Sequence, residues 1–340
     1  MLRFVIRRLL LLVPVLFGLS VLLFAWLRAL PGDPARALLG DRATPQGIAR
    51  LNAQYGFDQP LVVQYFTYMG QLLRGNFGNS PRTGQPVLAT FVERFPATVE
   101  LSVAAMAFAV VVGIPLGYFA ARRAGGVLDL VAVGSSLAGV VIPVFVLAYL
   151  LKAIFAIGMP GLDFLAFLPP SGRQSVTIDA THITNFYVLD GLMTREWDAA
   201  WDAFVHLILP ALALGSIPLA AITRMTRASV LEVLGEDYVR TAHAKGLAAG
   251  LITRRHVLKN AMLPVITMVG LLTGQLLSGA VLTESVFAFN GIGSYLFDAI
   301  STLDYAVLQG FILFIALIYA LVNLVVDLLY GLFDPRMRAQ

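Results

Sequence analysis

Apolar residues run in long blocks separated by short polar interruptions, a pattern that predicts membrane-spanning helices. The first block, Leu9 to Leu30, is long enough to cross about 30 Å of hydrocarbon. Arg3, Arg7 and Arg8 precede it and put the N-terminus on the cytoplasmic side. A cleaved signal peptide would have an apolar core of only about 7–15 residues ending at small residues, whereas this block continues to Trp26 and Arg28. Pro31-Gly32-Asp33-Pro34 ends it, because proline removes a donor and disfavours helical geometry before it. Further spans are expected at Pro96–Ala121, Leu130–Ile157, Phe204–Ile222, Pro264–Leu282 and Tyr305–Leu329. Gly113 and Gly117, flanking Pro115, suit close helix packing, and Lys152 near the outer end of the third span suits snorkelling to the interface.

The polar segments separate by charge. Arg122-Arg123, Arg224, Arg227 and Arg336 with Arg338 fall where the positive-inside rule wants cytoplasmic loops. The segment Met159–Asp202 carries six acidic residues against Arg173 and Arg195, as a translocated loop should. There Leu189, Met193, Trp197, Trp201 and Phe204 share one helical face, which predicts a helix along the outer interface that then turns into the fourth span. Residues 35–95 read as an outer loop with short amphipathic helices, one starting at Thr44-Pro45-Gln46. Its arginines do not contradict that side, since loops beyond roughly 60 residues translocate largely regardless of charge. The expectation is about six spans with both termini in the cytoplasm, in one all-α membrane domain over residues 1–340. Within it, 1–30 hold the inner N-terminus and first span, 31–95 the outer loop, and 96–340 the core.

Composition agrees: 58% of the residues are hydrophobic and only 13% charged, against roughly 25% in soluble domains. A formal charge of +4, with the bases gathered at membrane edges, gives no basis for nucleic-acid binding. Having no cysteine, the chain lacks disulfides, thiolate metal sites and cysteine nucleophiles. Lys152, Lys245 and Lys259 are followed by Ala, Gly and Asn, so no phosphate-binding loop exists and any ATP is hydrolysed elsewhere. The four histidines form no metal or base motif, and no catalytic or metal site is expected. A proton-coupled symporter should bury ionisable groups at mid-bilayer, but Glu100, Asp129, Lys152, Glu284 and Asp327 fall near span ends.

One stretch concentrates polar chemistry between apolar runs: Glu232 to Pro264, inside a cytoplasmic region of residues 225–263. It reads as two short helices at the membrane surface, broken at Gly246 and Gly250 and closed by Pro264. On the fifth span Thr267, Gly270, Gly274 and Ser278 lie close to one face, which either packs against another subunit or lines a path; packing is the commoner use of small residues.

The run Glu236-Asp-Tyr-Val-Arg-Thr-Ala-His-Ala-Lys-Gly-Leu247, with Leu263-Pro264 beyond it, resembles the cytoplasmic signature of ABC-importer permeases of the peptide/nickel branch. Arg240 stands where the general pattern has Glu and Thr241 where it has Ala, departures usual in that branch. Pro31-Gly-Asp-Pro34, Leu73-Arg-Gly-Asn-Phe-Gly78, Pro96-Ala-Thr-Val-Glu-Leu101, Arg224-Met-Thr-Arg227, Asp304-Tyr305 with Gln309-Gly310, and Asp334-Pro-Arg336 extend the likeness across the chain. The long segment between Pro169 and His206 is most similar to the first, B-type, permease of dipeptide importers. Phe289-Asn290-Gly291 departs from the usual Trp-Pro-Gly.

The resemblance implies a type I ABC-importer permease fold and a heterodimer with a second permease. It also implies two ATPase subunits carrying ATP and magnesium, and an extracytoplasmic peptide-binding protein that delivers short peptides. It makes Glu236, Asp237, Tyr238, Arg240, Thr241, Ala242, Lys245 and Gly246 the ATPase-coupling residues. Two alternatives stay open for that stretch: a solvated inner loop, or a basic helix resting on anionic lipid. For the chain as a whole, the alternatives are a proton-coupled symporter, or the same permease role with oligopeptide, nickel-complex or haem cargo.

Overall fold

The computed structural model describes residues 2–29, 39 and 43–333. Among them the chain is helical, with one isolated bridge between Asn79 and Pro86. In chain order the helices are α1 (Leu2–Ala29), α2 (Pro45–Tyr55), α3 (Leu61–Leu73), α4 (Val87–Arg122), α5 (Val127–Val141), α6 (Val144–Lys152) and α7 (Tyr187–Thr194). Then follow α8 (Trp197–Leu234), α9 (Asp237–Ala244), α10 (Ala249–Ile252), α11 (Lys259–Gly279), α12 (Val281–Val286), α13 (Ile292–Ser301) and α14 (Tyr305–Phe333). Five stretches among the described residues are long and apolar enough to cross a membrane: α1, α4, α8, the α10–α11 run and α14. The motifs Pro31–Pro34 and Asp334–Arg336 lie outside the described residues.

The third apolar stretch is broken where one span was expected. Pro143 has extended backbone (φ −57°, ψ 135°) and starts α6, so α5 ends at Val141. The pyrrolidine ring cannot donate to the ladder and pushes the residue before it out of helical geometry. After α6 the chain widens into a π-turn, Ala153–Ile157, stopped by Gly158 at φ +92°. Other prolines do not break their helices. Pro96 lies inside α4, which begins at Val87, earlier than the expected span, and α8 runs 38 residues through Pro210 and Pro218. Within membrane helices neighbouring groups can satisfy the carbonyl that proline leaves unpaired.

The expected interface helix over 189–204 is two helices, because Arg195 takes a left-handed turn (φ 63°) between α7 and α8. Its five apolar residues are nevertheless all exposed, and α8 continues into the span without a turn. Lys152 does not snorkel outward. Its ammonium donates to the Val286 carbonyl at 2.9 Å, at the end of α12, and sits over the Phe287 ring.

The contacts divide the chain into two compact units, one drawn from Met1–Pro96 with Gly291–Gln340 and the other from Ala97–Asn290. In the first, Leu27, Val87, Phe91, Leu308 and Phe311 form the core. Thr44 caps α2 by accepting from the Gly47 amide, as the sequence indicates. Asp304 accepts from the Val307 amide at the start of α14 and from the Ser80 hydroxyl, pinning the loop before α4. A side chain at Gly310 would meet Val87 Cγ1 at 2.6 Å, so this glycine lets α14 and the first turn of α4 touch.

In the second unit α8 is the axle: α5, α6, α7 and α11 all pack on it. Ala97, Leu101, Ala105 and Ala109 of α4 interleave with Leu207, Ala211, Leu214 and Ile222 of α8. Two glycines bring these backbones together. A Cβ at Gly117 would lie 2.5 Å from the Thr223 carbonyl oxygen, and one at Gly215 would lie 2.8 Å from that of Ala105. Without hydrophobic drive between helices in lipid, such contact is a main source of cohesion.

The acidic residues of the segment before α8 organise it. Asp190, fully buried, accepts from the amides of Ile183 and Thr184 and from the Thr184 hydroxyl. Asp202 accepts from the Ser175 amide and hydroxyl. Glu196 accepts from the Thr181 amide at 3.0 Å and hydroxyl at 2.9 Å, and these bonds, the amide first, hold its carboxyl below the ordinary value of 4.5.

Gly117→Ala should destabilise the protein by about 1–3 kcal/mol through overpacking against backbone, whereas Gly134→Ala, with nothing within 4 Å, should not. Thermal unfolding of the two variants in detergent compares them. A depressed carboxyl stabilises above its unfolded pKa and loses that contribution as pH falls through its folded one. Exchange protection of the Thr181 amide should therefore persist at pH 4.5 and be lost at lower pH, and Glu196→Gln should remove the dependence in hydrogen-exchange measurements.

Candidate functional site

At one end of α8 the chain turns through Gly235 and the extended Glu236 (φ −71°, ψ 143°) into α9, an eight-residue helix. Its faces differ sharply. Val239 and Ala242 are buried among Ala121 of α4, Val230 of α8, Ile252, Val257 and Ala261. Asp237, Tyr238, Arg240, Thr241, His243 and Lys245 are exposed. Ala242 therefore sets how closely α9 approaches this chain's own core and presents no surface outward.

The helix stops in a defined way. Gly246 takes φ +72°, its amide donates to His243, and the Leu247 amide donates to Ala242. These two bonds form a Schellman ending, which requires a left-handed residue. A Cβ at Gly246 would meet nothing within 4 Å, so conformation alone demands glycine there. The second break expected at Gly250 is absent, since that residue lies within α10. Nor does Pro264 close the stretch: α10 passes through a π-turn, Thr253–Leu258, directly into α11, with Pro264 in its second turn.

Polar bonds fix the orientation of α9. The Tyr238 hydroxyl accepts from Asn260 Nδ2 at 2.9 Å, and the same nitrogen donates to the His256 carbonyl. The Thr241 hydroxyl returns to the Asp237 carbonyl. Arg240 and Asp237 approach to 3.3 Å, but their side chains are 74% and 94% exposed, so the pair is worth little and the guanidinium is available. At the same end of α8, Arg227 binds Asp129 through both guanidinium and carboxylate, with Nη2 to Oδ2 at 2.7 Å. Asp129 also accepts from the Gly125 amide, so the α4–α5 turn is locked to the base of α8.

The second predicted group is divided. Gly270 and Gly274 are buried on α11, while Thr267 is exposed with its hydroxyl on the Leu263 carbonyl. Ser278 falls among residues whose side chains are not described.

Sequence reasoning missed the buried polar network. Glu100 of α4 binds Arg173 at 2.8 Å and accepts from the Val188 amide, while Arg173 donates to the Asn185 carbonyl and lies 3.7 Å from the Tyr187 ring centroid. Glu284 of α12 is fully buried and accepts from Thr98. The signal was available in Pro96–Leu101, where two polar residues interrupt an otherwise apolar helix.

The family of binding-protein-dependent transport system inner membrane components matches residues 113–339, and the N-terminal part of such membrane components matches residues 1–102. The chain belongs to this family: it is a multi-pass inner-membrane permease of the ABC-importer class. It is 47% identical over 341 residues, all of both chains, to the di/tripeptide transport system permease protein DppB of Pseudomonas aeruginosa. It is 44% identical to the dipeptide transport system permease proteins DppB of Alkalihalophilus pseudofirmus, over 99% of this chain and 100% of the relative, and of Escherichia coli, over 99% of each.

Gly246→Ala should cost about 1–2 kcal/mol of local stability from the left-handed backbone, read as faster amide exchange across residues 237–247. Asp129→Ala should cost about 1.5–3 kcal/mol, the worth of hydrogen bonds between charged groups, read as a lower unfolding temperature in detergent.

Proposed function

We propose that this permease carries dipeptides or other short peptides across the membrane, delivered by an extracytoplasmic peptide-binding protein and driven by ATP hydrolysed on partner subunits. ATP and magnesium belong to two ATPase subunits, and a second permease completes the membrane pathway. The chain acts as one permease domain with both termini in the cytoplasm. The charge pattern supports that orientation: Arg3, Arg7, Arg8, Arg122, Arg123 and the basic residues of α9 to α11 then share one side. Relatives named for dipeptide transport over the full chain support the cargo class.

The single observation that carries the mechanism is the two-faced α9. Its apolar face is consumed by this chain and its polar face is left outward. On this reading Tyr238, Arg240, Thr241 and Lys245 meet a groove on one ATPase, with Arg240 and Lys245 supplying charge-assisted contacts. Glu236, Asp237 and Gly246 fix where the helix begins and ends. Closure of the ATPase pair would then move α9, which the buried Val239 and Ala242 join to α4 and α11. A solvated loop would need neither the buried seat nor the glycine ending.

Replacing Arg240 and Lys245 by Glu should lower copurification of the ATPase and peptide uptake by about tenfold or more, since rim charges of the wrong sign repel the partner. Retained ATPase with undiminished transport rejects the docking role. Uptake into liposomes under a proton gradient without ATP would reject ATP coupling. Competition among dipeptides, longer peptides, nickel complexes and haem reads the cargo.

A further inference from the structure

A cavity of about 470 Å³ opens in the first unit, between the end of α1, the helices α2 and α3, and the start of α14. Its lining includes Arg28, Tyr68 and Gln309, with no acidic side chain among the described residues. The peptide pathway reading does not use it.

Three of the donors lining it lack an acceptor among the described residues. Arg28 spends its Nε on Gln64 Oε1 at 2.9 Å, and Gln64 is itself fixed because its Nε2 donates to the carbonyls of Phe57 and Gln59. Arg28 Nη1, the Tyr68 hydroxyl and Gln309 Nε2 are buried and have no hydrogen-bond partner among the described residues. Gln309 is only 6% exposed. Three such groups beside one cavity call for an acceptor, because each unmade bond on a buried polar group costs stability.

Location narrows what the acceptor is. From Ile6 to Arg28, α1 extends roughly 33 Å at about 1.5 Å per residue, the thickness of the hydrocarbon, so Arg28 reaches the headgroup layer of the leaflet opposite the N-terminus. Leu10, Val13, Phe17 and Leu22 remain exposed along α1 and offer a path for acyl chains. Helix α3 brings Leu61, Val62 and Phe66 outward as an interfacial helix would, while Tyr65 holds it to α1 through Ser20. The aromatic rings of Phe24, Phe57 and Tyr305 already face the Arg28 guanidinium at 4.9, 5.1 and 5.7 Å. A second cation would meet repulsion from Arg28 and no carboxylate among the described lining residues, so an ammonium headgroup is disfavoured.

We propose that this cavity binds the phosphodiester of an anionic phospholipid, whose oxygens accept hydrogen bonds from Arg28, Tyr68 and Gln309. The test is lipid retention by the assembled transporter, measured by native mass spectrometry with phosphatidylglycerol, phosphatidylethanolamine and inorganic phosphate as probes. Phosphatidylglycerol should bind preferentially and lose about tenfold in affinity in Arg28→Gln, the scale of a charge-assisted hydrogen bond. Equal retention of the two lipids, or an unchanged Arg28→Gln, overturns the proposal. Displacement of phosphatidylglycerol by millimolar phosphate also overturns it, in favour of a small-anion site. Should Arg28→Gln fail to assemble, Tyr68→Phe and the lipid preference of the unaltered transporter decide by the same criteria.

Discussion

Backbone-to-backbone contact between α4 and α8 is the constraint from which the second unit follows. Gly117 has no room for a methyl group against the Thr223 carbonyl, and Gly215 has none against that of Ala105. The alanines between them complete a seam of small residues. In lipid this seam replaces the hydrophobic collapse of a soluble core. It also aligns the ends of α4 and α8, where Ala121 and Val230 form part of the floor on which α9 is seated.

The short helix owes its form to that floor. Eight residues are too few for a stable isolated helix in water. Val239 and Ala242 supply the missing stability by burial, and the Gly246 ending satisfies the last carbonyls. Tyr238 adds a tether to Asn260, so α9 is joined to the first turn of α11 as well as to α8. On the proposed reading this is what a coupling element needs: an outward polar surface for the partner and a rigid inward connection to the spans.

Much of this was legible in the sequence. Five of the six long apolar blocks hold helices of membrane-crossing length, and Glu236 to Gly246 delimited α9 almost to the residue, because an extended Glu236 and a left-handed Gly246 are local features. Ends and breaks were less legible. Pro143 breaks its span while Pro96, Pro210, Pro218 and Pro264 do not, a difference that depends on neighbours the sequence does not identify. The burial of Ala242 was likewise invisible, since a small residue serves an external or an internal contact equally well. Glu100 and Arg173 are 73 positions apart, and nothing local pairs them. The cavity at Arg28 gathers residues from four helices; Asn76, Phe77, Gly78, Tyr305 and Gln309 lie in recognisable motifs, but nothing local brings those motifs together.

The proposed coupling role of α9 depends on its polar face meeting an ATPase subunit. The chain contains no cysteine, so a single one can be placed at will. Site-specific cross-linking of the assembled transporter with Thr241→Cys, and with Arg254→Cys beyond the helix as comparison, reads the contact directly. A docking role for α9 should give a cross-link from position 241 to an ATPase subunit, stronger than from position 254 and changed by nucleotide. No cross-link from position 241, with an efficient one from position 254, would contradict it.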